Sequence, residues 1–343
     1  MSGGAVALAL ALLTAARWVG VGAKSGLDWG VMFAGVVRPM DRASHGRCWC
    51  AGLLVMLVLA VVPAQAATIR DMLGRSVSIP DGPLRVVSLA PSLTEIVFAL
   101  GRGEWLVGVT DYCDYPAAAR SRPRVGGPVT PDLERIVALR PDVVLATAEG
   151  NPRDRVAQLR RLRVPVFAVK PEGYAGILAS VETLGRLLRA EATAATLLKE
   201  MRGRVDAVRH AVSGRPRPRV LYLLWVEPLM AVGPAAFIQD LIEIAGGENV
   251  VRERAVPYPR LGWEEVVASA PEVILVASHR EGKDHPANTS NWNAWKSIPA
   301  VRAGRVIAVP GDPIHRPGPR VAEGVERLAR AIHPDAFTRT GAR

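Results

Sequence analysis

The sequence predicts an α/β protein: two Rossmann-like lobes with parallel-sheet cores, joined by one long rigid helix. Three observations carry this. Short, nearly continuous apolar runs alternate with helical patterns, as strands covered on both faces require. A proline-free stretch with apolar residues at helical spacing lies mid-chain. Two distant segments also repeat one helix–proline–strand grammar.

Composition sets the outer limits. The 343 residues suffice for two domains, and 49% hydrophobic against 22% charged residues describes a globular chain. Net charge is +11. The basic side chains are scattered rather than run together, so nucleic acid is not an expected partner. Residues 51–62 (AGLLVMLVLAVV) form an apolar run preceded by Arg42, His45 and Arg47 and followed by Ala64-Gln65-Ala66. That order is a secretory signal cleaved near Ala66, and the run is too short to span a bilayer, which takes about twenty residues. Met40 is an alternative start, which would make residues 1–39 an over-long reading frame. Ala5–Ala16 is a rival export segment. Cys48 and Cys50 fall within residues 1–66. Cys113 then stands alone in the exported chain, a small half-buried apolar residue with no disulfide partner.

The first lobe, 67–172, carries expected strands at Arg85–Ala90, Leu106–Val109, Asp142–Thr147 and Val164–Val169. A single connector helix is expected over 173–214. Its apolar positions include Val181, Leu184, Leu188, Leu198, Val205 and Val208, and Gly214-Arg215-Pro216 ends it. The second lobe, 215–336, carries strands at Arg219–Leu224, Glu272–Ala277 and Arg305–Val309, and 337–343 is a tail. LERIVALRPDVVL (133–145) aligns with WEEVVASAPEVIL (263–275), pairing Glu134 with Glu264 and Pro141 with Pro271. LTEIVFALG (93–101) aligns with IQDLIEIAG (238–246). This reads as duplication of one lobe.

In open parallel sheets ligands sit beyond the carboxyl ends of the strands. Ser92 follows the first strand and with Glu95 spells a capping box. Tyr112 follows the second strand, Trp225 ends the first strand of the second lobe, and Tyr258 stands between two prolines. Asp312, Pro313, Ile314, His315 and Arg316 follow the last strand. Aromatic walls with a few polar anchors suit a broad, flat ligand. Phosphate-loop, nucleophile-elbow and zincin signatures do not occur in the sequence, so no catalytic residues and no resident cofactor or metal are expected. His279 and His285 allow at most a surface metal site. Glu134 and Glu264 each open the equivalent helix of their lobe. They favour the helix dipole, and also form a symmetric acidic pair suited to basic residues of a two-subunit membrane partner.

RVVSLAPSLTEIVFALG (85–101), DYCDYP (111–116), DLERIVALRPDVV (132–144), IQDLIEIAGGENV (238–250), VPYP (256–259) and GDPIHRPGPR (311–320) resemble the helical-backbone periplasmic binding proteins of ABC importers. Within that class the likeness is to the cobalamin (vitamin B12) binders. The resemblance implies a periplasmic protein, soluble after cleavage and monomeric, that is not an enzyme. It would hold a corrinoid between its lobes and deliver it to a permease dimer. Tyr112, Tyr258 and the 312–316 loop would touch the corrinoid, and Glu134 and Glu264 would face the permease. Haem or a ferric siderophore is the alternative ligand on this scaffold, with Tyr112 or His315 facing the iron. This chain departs from the pattern in having no tryptophan near Pro128–Val129 or at Thr147. It also lacks a second-lobe disulfide, and His315 stands where an acid is usual.

Overall fold

The computed structural model describes residues 67–253, 255–278 and 290–337. The signal segment with Ala5–Ala16 and Met40, Cys48 and Cys50, the His279 and His285 pair, and most of the tail lie outside the described residues.

A hairpin, β1 (Ala67–Arg70) and β2 (Ser76–Ile79), precedes the first sheet. That sheet is built from β3 (Val86–Ser88), β4 (Leu106–Val109), β5 (Val143–Thr147) and β6 (Val166–Val169), all parallel in the order β4-β3-β5-β6. Helices α1 (Pro91–Ala99), α2 (Leu133–Ala138) and α3 (Arg153–Arg161) connect the strands. Every residue of β3, β5 and β6 is buried, as the unbroken apolar runs require for strands covered on both faces.

The connector departs from expectation. It is two helices, α4 (Gly173–Leu187) and α5 (Glu191–Val212), rather than one spanning 173–214. The chain turns over at Leu188–Ala190, where Arg189 takes a left-handed φ of 51°. Arg102 of the first lobe holds that turn, donating to the carbonyls of Leu188 and Arg189 at 3.1 and 2.6 Å. The helices then run side by side in opposite directions. Gly185 faces Ala194 beside the turn, and the Arg209 guanidinium lies over the Tyr174 ring at the far end. A β-carbon on Gly185 would stand 2.5 Å from that of Ala194, so this crossing requires glycine. One apolar stripe runs through both helices, which is why the reversal leaves no trace in the periodicity. The long helix joining the lobes is therefore α5, of 22 residues, about 33 Å at 1.5 Å per residue.

In the second lobe, β7 (Arg219–Val226) pairs with β8 (Leu229–Ala231), β9 (Glu248–Asn249) and β10 (Val273–Ser278). β11 (Val306–Pro310) adds to β10. Helices α6 (Ile238–Ile244), α7 (Trp263–Ser269), α8 (Pro299–Arg302), α9 (Asp312–His315), α10 (Val321–Ile332) and α11 (Pro334–Phe337) belong to it. Omitting the antiparallel β8, the order β9-β7-β10-β11 repeats β4-β3-β5-β6. The repeat extends to single bonds. The Asp142 carboxylate accepts from the Arg85 N–H at 2.6 Å, and Glu272 accepts from the Arg219 N–H at 2.9 Å. The Arg85 guanidinium binds the carbonyls that close α2, and Arg219 binds the Ala270 carbonyl that closes α7. Arg140 and Ala270 both end their helices with left-handed φ, 46° and 44°.

One apolar cluster runs from the first lobe through α4 and α5 into the second, while separate clusters cover the outer face of each sheet. Each fully buried Leu, Ile or Val in them contributes about 1.5–3 kcal/mol. The α5 helix also packs on α10, where Arg204 and Glu326 form a two-bond ion pair at 2.7 and 2.8 Å. This double anchorage fixes the rod to both sheets and leaves their carboxyl ends facing one another.

Candidate functional site

The strand ends of both lobes enclose a cavity of about 750 Å³. Ser92, Pro128, Thr147 and Glu149 line it from the first lobe, and Phe237, Tyr258, His315 and Arg316 from the second. The wall is mainly apolar, with few polar groups converging on it, as small-molecule sites are.

The first-lobe wall is held by a side chain the sequence reading did not single out. Asn151 is buried, and its Oδ1 accepts from the Thr147 N–H at 2.8 Å. Its Nδ2 donates to the carbonyls of Leu89 at 3.0 Å and Pro128 at 2.9 Å. One amide thus ties together the segments that follow β3, β4 and β5. Nothing marks a lone Asn after Gly150 in the sequence, because its partners lie 23 and 62 positions away.

The second-lobe wall rests on Tyr222, which is fully buried in β7. Its hydroxyl meets His315 Nε2 at 2.9 Å and sets the ring of His315 edge-on. Burial pushes the Tyr222 phenol far above its ordinary range, so the hydroxyl keeps its proton. Tyr258 is presented by a loop that the backbone grips on both sides: Ala231 N–H donates to the Pro259 carbonyl at 3.0 Å and Gly233 N–H to the Pro257 carbonyl at 2.8 Å. A β-carbon on Gly233 would lie 2.8 Å from the Val256 carbonyl oxygen, so the approach needs glycine. The Tyr258 phenol is pushed up to about 12, first by burial and then by the charge of Glu149 in the opposite lobe.

Beside the cavity the lobes are tied by ions. Arg316 contacts Asp114 at 2.6 Å, Asp312 at 3.1 Å and Glu95 at 3.2 Å. Glu95 is 3% exposed and also takes Arg320 at 2.6 and 2.9 Å. The Arg320 guanidinium in turn lies 4.1 Å from the Tyr115 ring centroid. Burial disfavours the Asp114 carboxylate, but the Arg316 hydrogen bond and charge outweigh it and hold the carboxyl below its ordinary value. Arg316 moves the other way: burial lowers it, but Asp114, Asp312 and Glu95 raise it more.

Ser92, Tyr258, His315 and Arg316 thus meet at one cavity. Tyr112 is 65% exposed beside Gly127, and Trp225 is 54% exposed at the end of β7; neither lines it. Asp312 stands behind Arg316, while Pro313 and Ile314 are buried, with Pro313 against Gly324 of α10. The capping box is corrected. Ala90 is the N-cap of α1 and Pro91 its first residue, no side chain caps the helix, and Glu95 is turned to the arginines instead. Cys113 is fully rather than half buried, its Sγ 3.1 Å from both Thr94 Oγ1 and Thr110 Oγ1. Glu134 and Glu264 are exposed in the first turns of α2 and α7, and neither has an ion pair among the described residues. Their helices are capped by other carboxylates, Asp132 and Glu265.

Two lobes whose strand ends face each other across one cavity make a protein built to hold a solute between domains. The chain belongs to the periplasmic binding protein family, whose profile matches residues 86–313. It is 30% identical over 245 residues to a vitamin B12-binding protein of Vibrio cholerae, covering 71% of this chain and 87% of that one. Among solved structures, the periplasmic vitamin B12-binding protein of Vibrio cholerae matches with a TM-score of 0.67 at 28% identity, over 75% of this chain and 99% of that one. A periplasmic haem-binding protein in complex with two haems matches with a TM-score of 0.65 at 29% identity, over 73% and 100%. No helix among the described residues is long and apolar enough to cross a membrane.

Proposed function

We propose that the protein is the substrate-binding protein of an ABC importer and carries a corrinoid such as vitamin B12 to a membrane permease. The observation that supports this best is the inter-lobe cavity of about 750 Å³, with its apolar wall and its few converging polar groups. The corrinoid is cargo, not a cofactor, and no catalytic role is assigned to any residue. Ser92, Tyr258, His315 and Arg316 contact it directly. Tyr112 and Trp225 close over the exposed part of a ligand too broad for the cavity, while Pro313 and Ile314 set the position of His315 from beneath. In this reading the chain is exported, cleaved near Ala66 and acts as a soluble periplasmic monomer.

Glu134 and Glu264 dock the two lobes on the two halves of the permease. Their equivalence, their exposure and their lack of ion pairs among the described residues support a contact with one basic residue on each partner subunit.

Calorimetric titration of the exported protein with cyanocobalamin tests the reading. A one-to-one complex is expected. Absence of binding at about 10 μM, a free energy near −7 kcal/mol, rejects it. Haem is the second reading, because Tyr258 and His315 are residue types that hold haem iron and both line the cavity. A Soret band that survives desalting after haem addition supports it; a protein that leaves haem in the wash does not.

A further inference from the structure

The cation and the anion on the cavity wall are not equally committed within the protein. Arg316 is the sole Lys or Arg among the described lining residues, and its guanidinium is committed to Asp114, Asp312 and Glu95. Glu95 also binds Arg320, and Arg120 acts on Asp114, so this cluster balances three carboxylates with three arginines and leaves no guanidinium uncommitted on the cavity wall. Across the cavity, exposed Glu149 forms no ion pair among the described residues. A hollow of about 250 Å³ adjoins the cavity through Glu149, Ala235, Ala236 and Phe237 and is lined by Glu172 and Asp240. Lys170 answers Glu172 at 2.8 Å, while Asp240 accepts from the Tyr174 N–H at 3.1 Å. The chain carries a net +11, yet among the described lining residues the one cation is already paired with carboxylates, while Glu149 forms no ion pair. The elevated Tyr258 phenol senses the same field through Glu149.

We propose that the cavity selects its ligand by charge: the Arg316 cluster and Glu149 admit neutral and cationic ligands of corrinoid size and disfavour those bearing carboxylates. This rests on the corrinoid reading above and deepens it. A free arginine facing a solute is the usual anchor for a carboxylate. Here that anchor is occupied before any ligand arrives, and a new anion would have to displace a bonded carboxylate. Haem, with its two propionates, is disfavoured on the same ground, whereas cyanocobalamin is neutral and aquacobalamin is singly positive. At low salt the Debye length of about 30 Å exceeds the width of the cavity, so the preference is large enough to measure.

Three corrinoids of one frame separate charge from shape: aquacobalamin, cyanocobalamin and a cyanocobalamin monocarboxylate in which one peripheral amide is hydrolysed. Calorimetric titration of the exported protein at low salt is expected to give aquacobalamin the tightest binding. The monocarboxylate should bind roughly ten- to thirtyfold more weakly than cyanocobalamin. Glu149→Gln should shrink that gap to about threefold, and Asp114→Asn, which releases part of Arg316, should shrink it too. Equal affinity for all three in the parent protein, or a gap unmoved by both variants, overturns the proposal. If no corrinoid binds, the corrinoid reading fails by itself, and the charge preference is then read from haem against its neutral dimethyl ester. Preference for the ester upholds it; equal or better binding of haem overturns it, and so does a protein that takes none of the five.

Discussion

Arg316 of the second lobe and Asp114 of the first meet at 2.6 Å, and the same guanidinium reaches buried Glu95 at 3.2 Å. The lobes are therefore latched by charge on one side of the cavity, independently of the α5 rod. Glu95→Ala leaves Arg320 and Arg316 without their shared buried partner, and losing one member of such a pair costs about 3–5 kcal/mol. Urea denaturation of the parent and the variant should show that loss as a lower midpoint. The latch also has an acid limit. Asp114 titrates below its ordinary value of 3.8, so its contribution is complete above that value and fades as pH falls through the lower, folded one. Stability curves of Asp114→Asn and the parent should converge in that acid range.

Tyr258 gives the opposite sign at alkaline pH. Its phenol lies at about 12 against an ordinary 10.0, so its neutral form is favoured by folding. That contribution is present below pH 10 and is lost as pH rises through 12. Ultraviolet titration should show phenolate absorbance that Tyr258→Phe removes from the pH 12 region. Glu149→Gln should bring the Tyr258 step downward, because Glu149 is its second cause after burial.

Asn151 joins three cavity segments with one amide. Asn151→Ala strands the carbonyls of Leu89 and Pro128 and the Thr147 N–H, which predicts a loss of about 2–3 kcal/mol in thermal or urea unfolding. Ligand affinity should fall as well, since Pro128 and Thr147 line the cavity. Asn151→Asp, which sets a carboxylate oxygen against the two carbonyls that Nδ2 served, should be at least as destabilising as Asn151→Ala at neutral pH, although the Thr147 contact is kept.

Glu134→Ala combined with Glu264→Ala should leave ligand affinity within error of the parent and lower stability only by the helix-dipole contributions, about 0.3–1 kcal/mol each, because both side chains are exposed and neither has an ion pair among the described residues. Uptake by vesicles carrying the importer should drop at least about tenfold, as for loss of two charge-assisted contacts. Uptake at the parent rate removes the docking role.

Helical and strand periodicity placed all seven expected strands within two residues of their observed ends. The likeness of the lobes was also legible, because helix, proline and strand recur in the same order at 133–145 and 263–275. The structure extends it to Arg85–Asp142 and Arg219–Glu272, which make the same bond in each lobe. The single connector helix was misread for a physical reason. Leu188, Arg189 and Ala190 continue the apolar stripe without a proline or glycine, and the reversal is set by carbonyls that bind Arg102, 86 and 87 positions earlier. Glu95 was read as a local cap for the same reason: its true partners are 221 and 225 positions away.

By itself the sequence determined what local chemistry governs: which segments are strands buried on both faces, and that helix, proline and strand recur in the same order in two lobes. Only the tertiary structure decided which side chains line the cavity. It brought Ser92, Tyr258, His315 and Arg316 to one cavity from two lobes while leaving Tyr112 outside and Ile314 underneath. Periodicity encodes burial against a neighbouring layer, whereas a site between lobes depends on contacts more than two hundred residues apart, and no spacing along the chain records those.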